Sequence, residues 1–232
     1  MTPLKLLSSM ATRDLLREMV SGYQVETARA VSCEAAGGVD VARRVQGGEA
    51  VDVVVLASGA IDKLIEERKL IAGSRVDLVK SGISIAIRAN SPRPKVGTED
   101  EVKSAVLAAA TLSYSTGPSG VYLEKMFERW GILEAIRNRI VVPPPGVAVG
   151  SVLASGTAEL GFQQLSELKN VPNIEVVGPL PPAIQSMTTF SGGISVSCGD
   201  PAAARQLLAF MASPATAAAK LRHGLEAATA RS

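Results

Sequence analysis

Three short stretches of small and hydroxyl residues carry most of the chemistry this sequence offers. They are Ser8-Ser9-Met10-Ala11-Thr12-Arg13, Glu34-Ala35-Ala36-Gly37-Gly38-Val39 and Tyr114-Ser115-Thr116-Gly117-Pro118-Ser119-Gly120. Each follows an apolar, strand-like run and precedes a helical pattern. A helix start presents unpaired N–H groups and the positive end of a dipole, so it attracts anions. Hydroxyls add donors there, and glycines let a ligand come close to the backbone. The candidate contacts are therefore Ser9, Met10, Thr12, Gly37, Gly38, Ser115, Thr116 and Ser119. Gly146 and Val147, after three consecutive prolines, and Gln163 and Gln164, at the end of a later strand, join them as polar or backbone contacts. Arg13 is the charged candidate, because its planar fork can grip a carboxylate through two bonds. Any one junction taken alone reads more readily as ordinary helix capping. Several of them together point to a ligand.

Other chemistries find little support. The chain has one histidine, His223, far from these junctions, and two cysteines, Cys33 and Cys198, in unrelated contexts. That excludes a Ser-His-Asp or Cys-His arrangement at the junctions and gives no metal-ligand spacing, so neither a metal nor a cofactor is expected. The cysteines read as two separate thiols. Phosphate loops of the G-x-x-x-x-G-K-[ST] type, a G-x-G-x-x-G after the first strand, a G-x-S-x-G elbow and H-E-x-x-H are all missing. Were the protein an enzyme moving protons, Glu34 and Tyr114 would be the bases to consider, since both lie near junctions.

The elements that must hold these residues alternate between strand and helix. Leu4–Leu7 predicts a strand, Arg13–Tyr23 a helix, Glu26–Cys33 a second strand and Val39–Gly47 a short helix. Val51–Ala57 is an apolar run of the kind buried on both faces of a parallel sheet, followed by a helix over Ile61–Leu70. Further strands are expected at Gly82–Arg88, Thr111–Ser115, Glu159–Gln163 and Glu175–Gly178. Helices are expected at Glu99–Ala110, Pro118–Trp130, Leu133–Ile140 and Val149–Ser155. Met187–Cys198 reads as a strand pair kinked at Gly192-Gly193, and Pro201–Leu225 as a helical tail broken at Ser213-Pro214. The pattern is that of an open α/β sheet, in which ligands settle beyond the C-terminal strand ends.

Composition sets the outer bounds. Of 232 residues, 47% are hydrophobic and only 3% aromatic, so the core must be aliphatic. The net charge of +2, with the two signs interspersed, argues against a nucleic-acid partner. No apolar run approaches the roughly 20 residues that would insert into a bilayer. The sequence opens on Met1 with no leader-like segment, which reads as cytoplasmic; a removed leader would make it periplasmic.

The whole chain resembles the molybdate-binding members of the type 2 periplasmic binding protein superfamily. The likeness lies in Leu7-Ser8-Ser9-Met10-Ala11-Thr12, in Gly37-Gly38 with the helix Val41-Ala42-Arg43-Arg44-Val45-Gln46-Gly47-Gly48, and in Ala50-Val51-Asp52-Val53-Val54. It continues in Ser115-Thr116-Gly117-Pro118-Ser119-Gly120-Val121-Tyr122 and Gly161-Phe162-Gln163-Gln164. The resemblance implies two Rossmann-like α/β lobes joined by two crossover strands. Lobe I would be residues 1–83 and 188–232 and lobe II residues 84–187, with a small anion in the cleft between them. It also implies a transporter permease as partner if the chain is exported. Where those relatives place site hydroxyls, this chain has Met10, Gly37, Gly38 and Gln164, which implies an organic carboxylate or polycarboxylate in place of molybdate. The chain is also similar to the aconitate isomerase branch, through Ala72-Gly73-Ser74-Arg75-Val76-Asp77-Leu78-Val79, Ser166-Glu167-Leu168 and Val177-Gly178-Pro179-Leu180-Pro181. That branch implies isomerisation of an unsaturated polycarboxylate by proton transfer.

Overall fold

A computed structural model describes residues 2–144 and 147–228. The chain folds into two compact units, Met1–Ser81 with Thr189–Ser232, and Gly82–Thr188. It passes from one to the other inside the strands Val76–Arg88 (β4) and Met187–Ile194 (β9).

The first unit is built on the parallel strands Leu4–Ser9 (β1), Val31–Ala36 (β2) and Val53–Ala57 (β3). Their order is β2-β1-β3, followed by β9 antiparallel to β3. The strand Glu226–Ala227 (β10) pairs antiparallel with Val79 and Lys80 of β4. Helix Arg13–Thr27 (α1) and the C-terminal helices Pro201–Ala212 (α9) and Ala217–Arg222 (α10) cover one face. Helices Gly38–Gln46 (α2) and Ser58–Glu66 (α3) cover the other. β3 shows why the sequence forces two layers. Val53 and Val55 pack with the α1 side and Val54 and Leu56 with the α2–α3 side, all at 1% exposure or less. Successive strand residues point to opposite faces, so an unbroken apolar run must be covered twice. Each such side chain contributes about 1.5–3 kcal/mol of burial.

The second unit repeats the plan. Strands Leu112–Tyr114 (β5), Ile140–Val141 (β6) and Leu160–Gln164 (β7) join the second half of β4 and the strand Ile174–Pro179 (β8) in the order β8-β4-β7-β5-β6. β5 runs parallel to both β6 and β7, and β4 is antiparallel to β7 and β8. Helices Glu99–Ala108 (α4), Pro118–Arg129 (α5) and Leu133–Ile136 (α6) pack on one face. Val149–Ala154 (α7) and Leu165–Leu168 (α8) lie on the other.

Several expected elements are corrected. Residues 26 and 27 finish α1 and do not open a strand. The Thr27 hydroxyl bonds the Tyr23 carbonyl, and the helix stops at Ala28 in the left-handed region (φ 54°). The stretch 82–88 is the second half of a 13-residue strand. Residues 187–194 form one unbroken strand, because Gly192 and Gly193 serve packing. A Cβ on either would stand 2.3 Å from Leu208 Cδ2 or 2.8 Å from Leu70 Cδ1. The helix expected over 133–140 is one short turn, after which the chain enters a 3-10 turn and β6. Cys33 and Cys198 are free thiols packed on the same core cluster, and burial raises the pKa of both.

Candidate functional site

In the first unit the three parallel strands deliver three helix starts to one end of the sheet. β1 ends at Ser9, leads through a 3-10 turn over Met10–Thr12 and enters α1 at Arg13. β2 ends at Ala36, beside Ser9 in register, and leads through Gly37 into α2. β3 ends at Ala57 and α3 begins at once with Ser58-Gly59. No side chain caps any of these starts. Elsewhere capping is present: Thr98 and Glu101 form a capping box on α4, and Asp200 caps α9 through the Ala203 N–H. Uncapped helix starts at the C-terminal ends of parallel strands keep their N–H groups available to an anion.

Ser9 is 6% exposed, and its Oγ is buried with no hydrogen-bond partner. Leaving a buried hydroxyl unsatisfied costs about 1–3 kcal/mol. The neighbouring hydroxyls are committed, since Ser8 donates to the Ser9 and Glu34 carbonyls and Thr12 to the Ser9 carbonyl. Thr12, 1% exposed, closes the 3-10 turn, and Met10 is half-buried at its start. Gly37 and Gly38 follow directly on Ala36, the residue that pairs with Ser9. A Cβ on Gly37 would touch nothing within 4 Å, and one on Gly38 would meet only Ser9 Cβ at 3.7 Å and Leu56 Cδ2 at 3.9 Å.

Arg13 opens α1, and its guanidinium binds its neighbour Asp14 at 2.8 and 3.3 Å. That contact holds the Asp14 carboxyl below the usual range, against the opposing effect of burial. A ligand carboxylate would have to compete with Asp14 for this fork. Glu34 points outward from β2 and pairs with Arg44 at 2.5 Å, with its side chain 62% exposed. Arg44 is shared with Glu49, and the two carboxylates raise its pKa.

In the second unit the sequence candidates bond largely to partners within the unit. Gly117 precedes α5, Pro118 opens it, and no side chain caps it. Ser115 and Ser119 hydroxyls lie 3.4 Å apart, with Ser119 4% exposed and Thr116 on the surface. Gly120 is needed for packing, since a Cβ there would stand 1.6 Å from the Ser115 carbonyl oxygen. Gln163 and Gln164, 2% and 3% exposed, are successive strand residues and so point to opposite faces. Gln163 accepts from the Val149 N–H at 3.0 Å, capping α7, and donates to Glu167 at 2.7 Å. Gln164 donates to Thr188 Oγ1 at 3.0 Å. Val147 is 44% exposed just ahead of α7, and Gly146 lies outside the described residues.

Tyr114 is 3% exposed, its ring 6.1 Å from Phe127, and its hydroxyl donates to Glu124 at 3.2 Å. Burial, and then the Glu124 charge, push its pKa upward, which makes the phenol a poor proton acceptor. Among the described residues no group of three or more His, Cys, Asp and Glu side chains could hold a metal ion. No helix among them is long and apolar enough to cross a membrane.

Sequence reading missed the α3 start. Its signal was present as Ser58-Gly59 directly after the apolar strand, and a Cβ on Gly59 would also meet nothing within 4 Å.

Comparison with known proteins places these features in context. Residues 4–226 match the family of bacterial extracellular solute-binding proteins. An aconitate isomerase from Pseudomonas sp is 36% identical over 233 residues, covering 97% of this chain and 88% of that protein. Among solved structures, the periplasmic molybdate-binding protein of Azotobacter vinelandii superposes with a TM-score of 0.80 at 21% identity, covering 97% of this chain and all of that one. The sulfate-binding protein of Mycobacterium tuberculosis superposes with a TM-score of 0.78 at 12% identity, covering 97% of this chain and 86% of that one. These two likenesses show the fold, which is that of type 2 periplasmic binding proteins.

Proposed function

The chain belongs to the bacterial extracellular solute-binding protein family, and we propose that within it the protein captures a small organic anion bearing more than one carboxylate. The observation that carries this reading is the cluster of uncapped helix starts in the first unit, with Ser9, Gly37 and Gly38 among them and the α3 start beside them. Backbone N–H groups and one unpartnered hydroxyl favour a negatively charged guest. An organic guest is favoured because Met10 and two glycines stand where the resemblance to molybdate-binding proteins would put hydroxyls. Val39, in the first turn of α2 and 66% exposed, adds apolar surface at the same place.

The test is a thermal-shift series with molybdate, sulfate, citrate, cis-aconitate, trans-aconitate and tricarballylate. Stabilisation by the polycarboxylates, growing with concentration as binding linkage requires, supports the reading. A shift with molybdate or sulfate alone overturns it.

A second reading, isomerisation of an unsaturated polycarboxylate, is favoured by the 36% identical relative. It finds no ready base in the two residues first considered, because Glu34 is held by Arg44 at the surface and Tyr114 is buried against Phe127. NMR of cis- and trans-aconitate incubated with the protein separates the readings, since only an enzyme interconverts them. The readings also differ in place and partner. Capture for a permease requires the chain outside the cytoplasmic membrane, whereas an isomerase can work inside it, and cell fractionation distinguishes the two.

A further inference from the structure

We propose that Lys220, on α10 of the first unit, is the group that takes a proton from an unsaturated polycarboxylate and returns it to a different carbon. This rests on the isomerase reading above and supplies the base that Glu34 and Tyr114 do not.

Lys220 is 2% exposed, and no described residue offers its ammonium a hydrogen bond or an opposite charge. Lysine is almost never enclosed without a partner, and methionine would fill the same space at less cost. A group that lowers stability and makes no bond in return marks a functional position. Nζ is not among the atoms enclosed without a partner, so the little exposure the residue keeps lies at its tip.

The helix that carries it stands beside a helix start. Arg222 and His223 fasten α10 to α1 by binding Glu18, and the His223 charge is felt by Asp14 in the first turn of α1. Ala219 shares a core cluster with Ala11, of the turn that leads into α1. The elements packed on α10 are α1, β10 and the turn Pro214–Thr216. Their charged groups are Arg13, Asp14, Arg17, Glu18, Glu26 and Glu226, and none of them offsets the burial that lowers the Lys220 pKa. The lowered value leaves more of the amine neutral near physiological pH, and the neutral form is the one that accepts a proton.

The step balances between amine and substrate. The Nζ lone pair takes a proton from the methylene carbon that lies between a carboxylate and the double bond. The C–H electron pair forms a new double bond while the old π pair moves to the far carbon, where the ammonium returns the proton. The amine is regenerated, and nothing is oxidised or reduced.

The experiment follows cis- and trans-aconitate by NMR with wild type and Lys220→Met, alongside urea unfolding and calorimetric titration with tricarballylate, which has no double bond to move. Lys220→Met should unfold at the wild-type urea midpoint or above it and bind tricarballylate within about threefold of wild type. It should interconvert the aconitates about 100-fold more slowly, or worse. The wild-type rate should rise with pH as the amine loses its proton and level off below pH 10.5. Interconversion by Lys220→Met within about threefold of wild type would overturn the assignment while leaving the isomerase reading intact. Loss of tricarballylate binding along with turnover would overturn it too, since the lysine would then hold the ligand or the fold. Should the variant unfold early, the pH profile decides, and a wild-type rate that stays flat between about pH 5 and pH 10 rules the lysine out. If wild type interconverts neither isomer, the isomerase reading itself fails and the assignment with it.

Discussion

At the helix starts of the first unit, no side chain caps the backbone and the Ser9 hydroxyl is left without an internal partner. At those of the second, most side chains find partners within the unit, the exception being Ser166 Oγ, buried without one at the start of α8. Ser9 Oγ is orphaned, and Gly37, Gly38 and Gly59 have nothing in the fold that requires glycine. In the second unit Gln163 is spent on α7 and Glu167, Gln164 on Thr188, and Ser115 on Ser119, while Gly120 is pinned against a carbonyl. Unsatisfied donors cost stability in the empty protein and regain it when a ligand supplies acceptors. A closed polar network stiffens the fold around a site instead. The difference is that the first unit leaves Ser9 unpartnered among glycines the fold does not require, whereas around α5 and α7 the second unit spends its polar side chains internally.

The sharpest way to break this comparison is to exchange glycines for alanine in each unit. Gly120→Ala should destabilise by about 3 kcal/mol or more, because the added carbon has no room beside the Ser115 carbonyl. Urea unfolding checks it, and a loss under about 1 kcal/mol would show that the loop relaxes easily. Gln163→Leu comes next. It leaves the Val149 N–H and Glu167 without their amide, so a loss of about 2 kcal/mol is expected in the same measurement.

Lys220 tests whether the reserve of unpaired groups in the first unit is confined to its helix starts. It is 2% exposed on α10, no described acid pairs with it, and burial lowers its pKa. The unfolded chain binds the proton more readily, so stability rises as pH climbs from the lowered folded pKa toward the ordinary 10.5. Lys220→Met should therefore stabilise by about 1 kcal/mol at neutral pH, with the gain fading as pH rises from the lowered folded pKa to 10.5 and absent above it. A gain that does not change with pH would mean the charge is not its source.

Smaller still are Gly37→Ala and Gly59→Ala, which should leave unfolding unchanged or raise stability by up to about 1 kcal/mol. A loss at either position would show that the glycine serves the fold. Tyr114→Phe should cost least, under about 1 kcal/mol, because the ring packing on Phe127 survives and only one bond to a surface carboxylate is lost.

Much of the architecture was legible in the residues themselves. Val51–Ala57 announced a strand covered on both faces, Ser-, Gly- and Pro-containing stretches marked most helix starts, and Pro214 marked the break in the C-terminal tail. These are local signals, because periodicity and caps act over a few residues. Non-local packing decided the rest. Gly192 and Gly193 looked like a kink and proved to be clearance for Leu208 and Leu70, which lie far away in sequence or on another element. Gln163 and Gln164 looked like a pair until the strand turned them to opposite faces, and Arg13 looked available until Asp14 took its fork. The orphaned hydroxyl of Ser9 was beyond any sequence reading. Whether a buried donor finds an acceptor depends on which segments pack around it, and that is set by residues far apart in sequence, such as Gly38 beside the Ser9 Cβ.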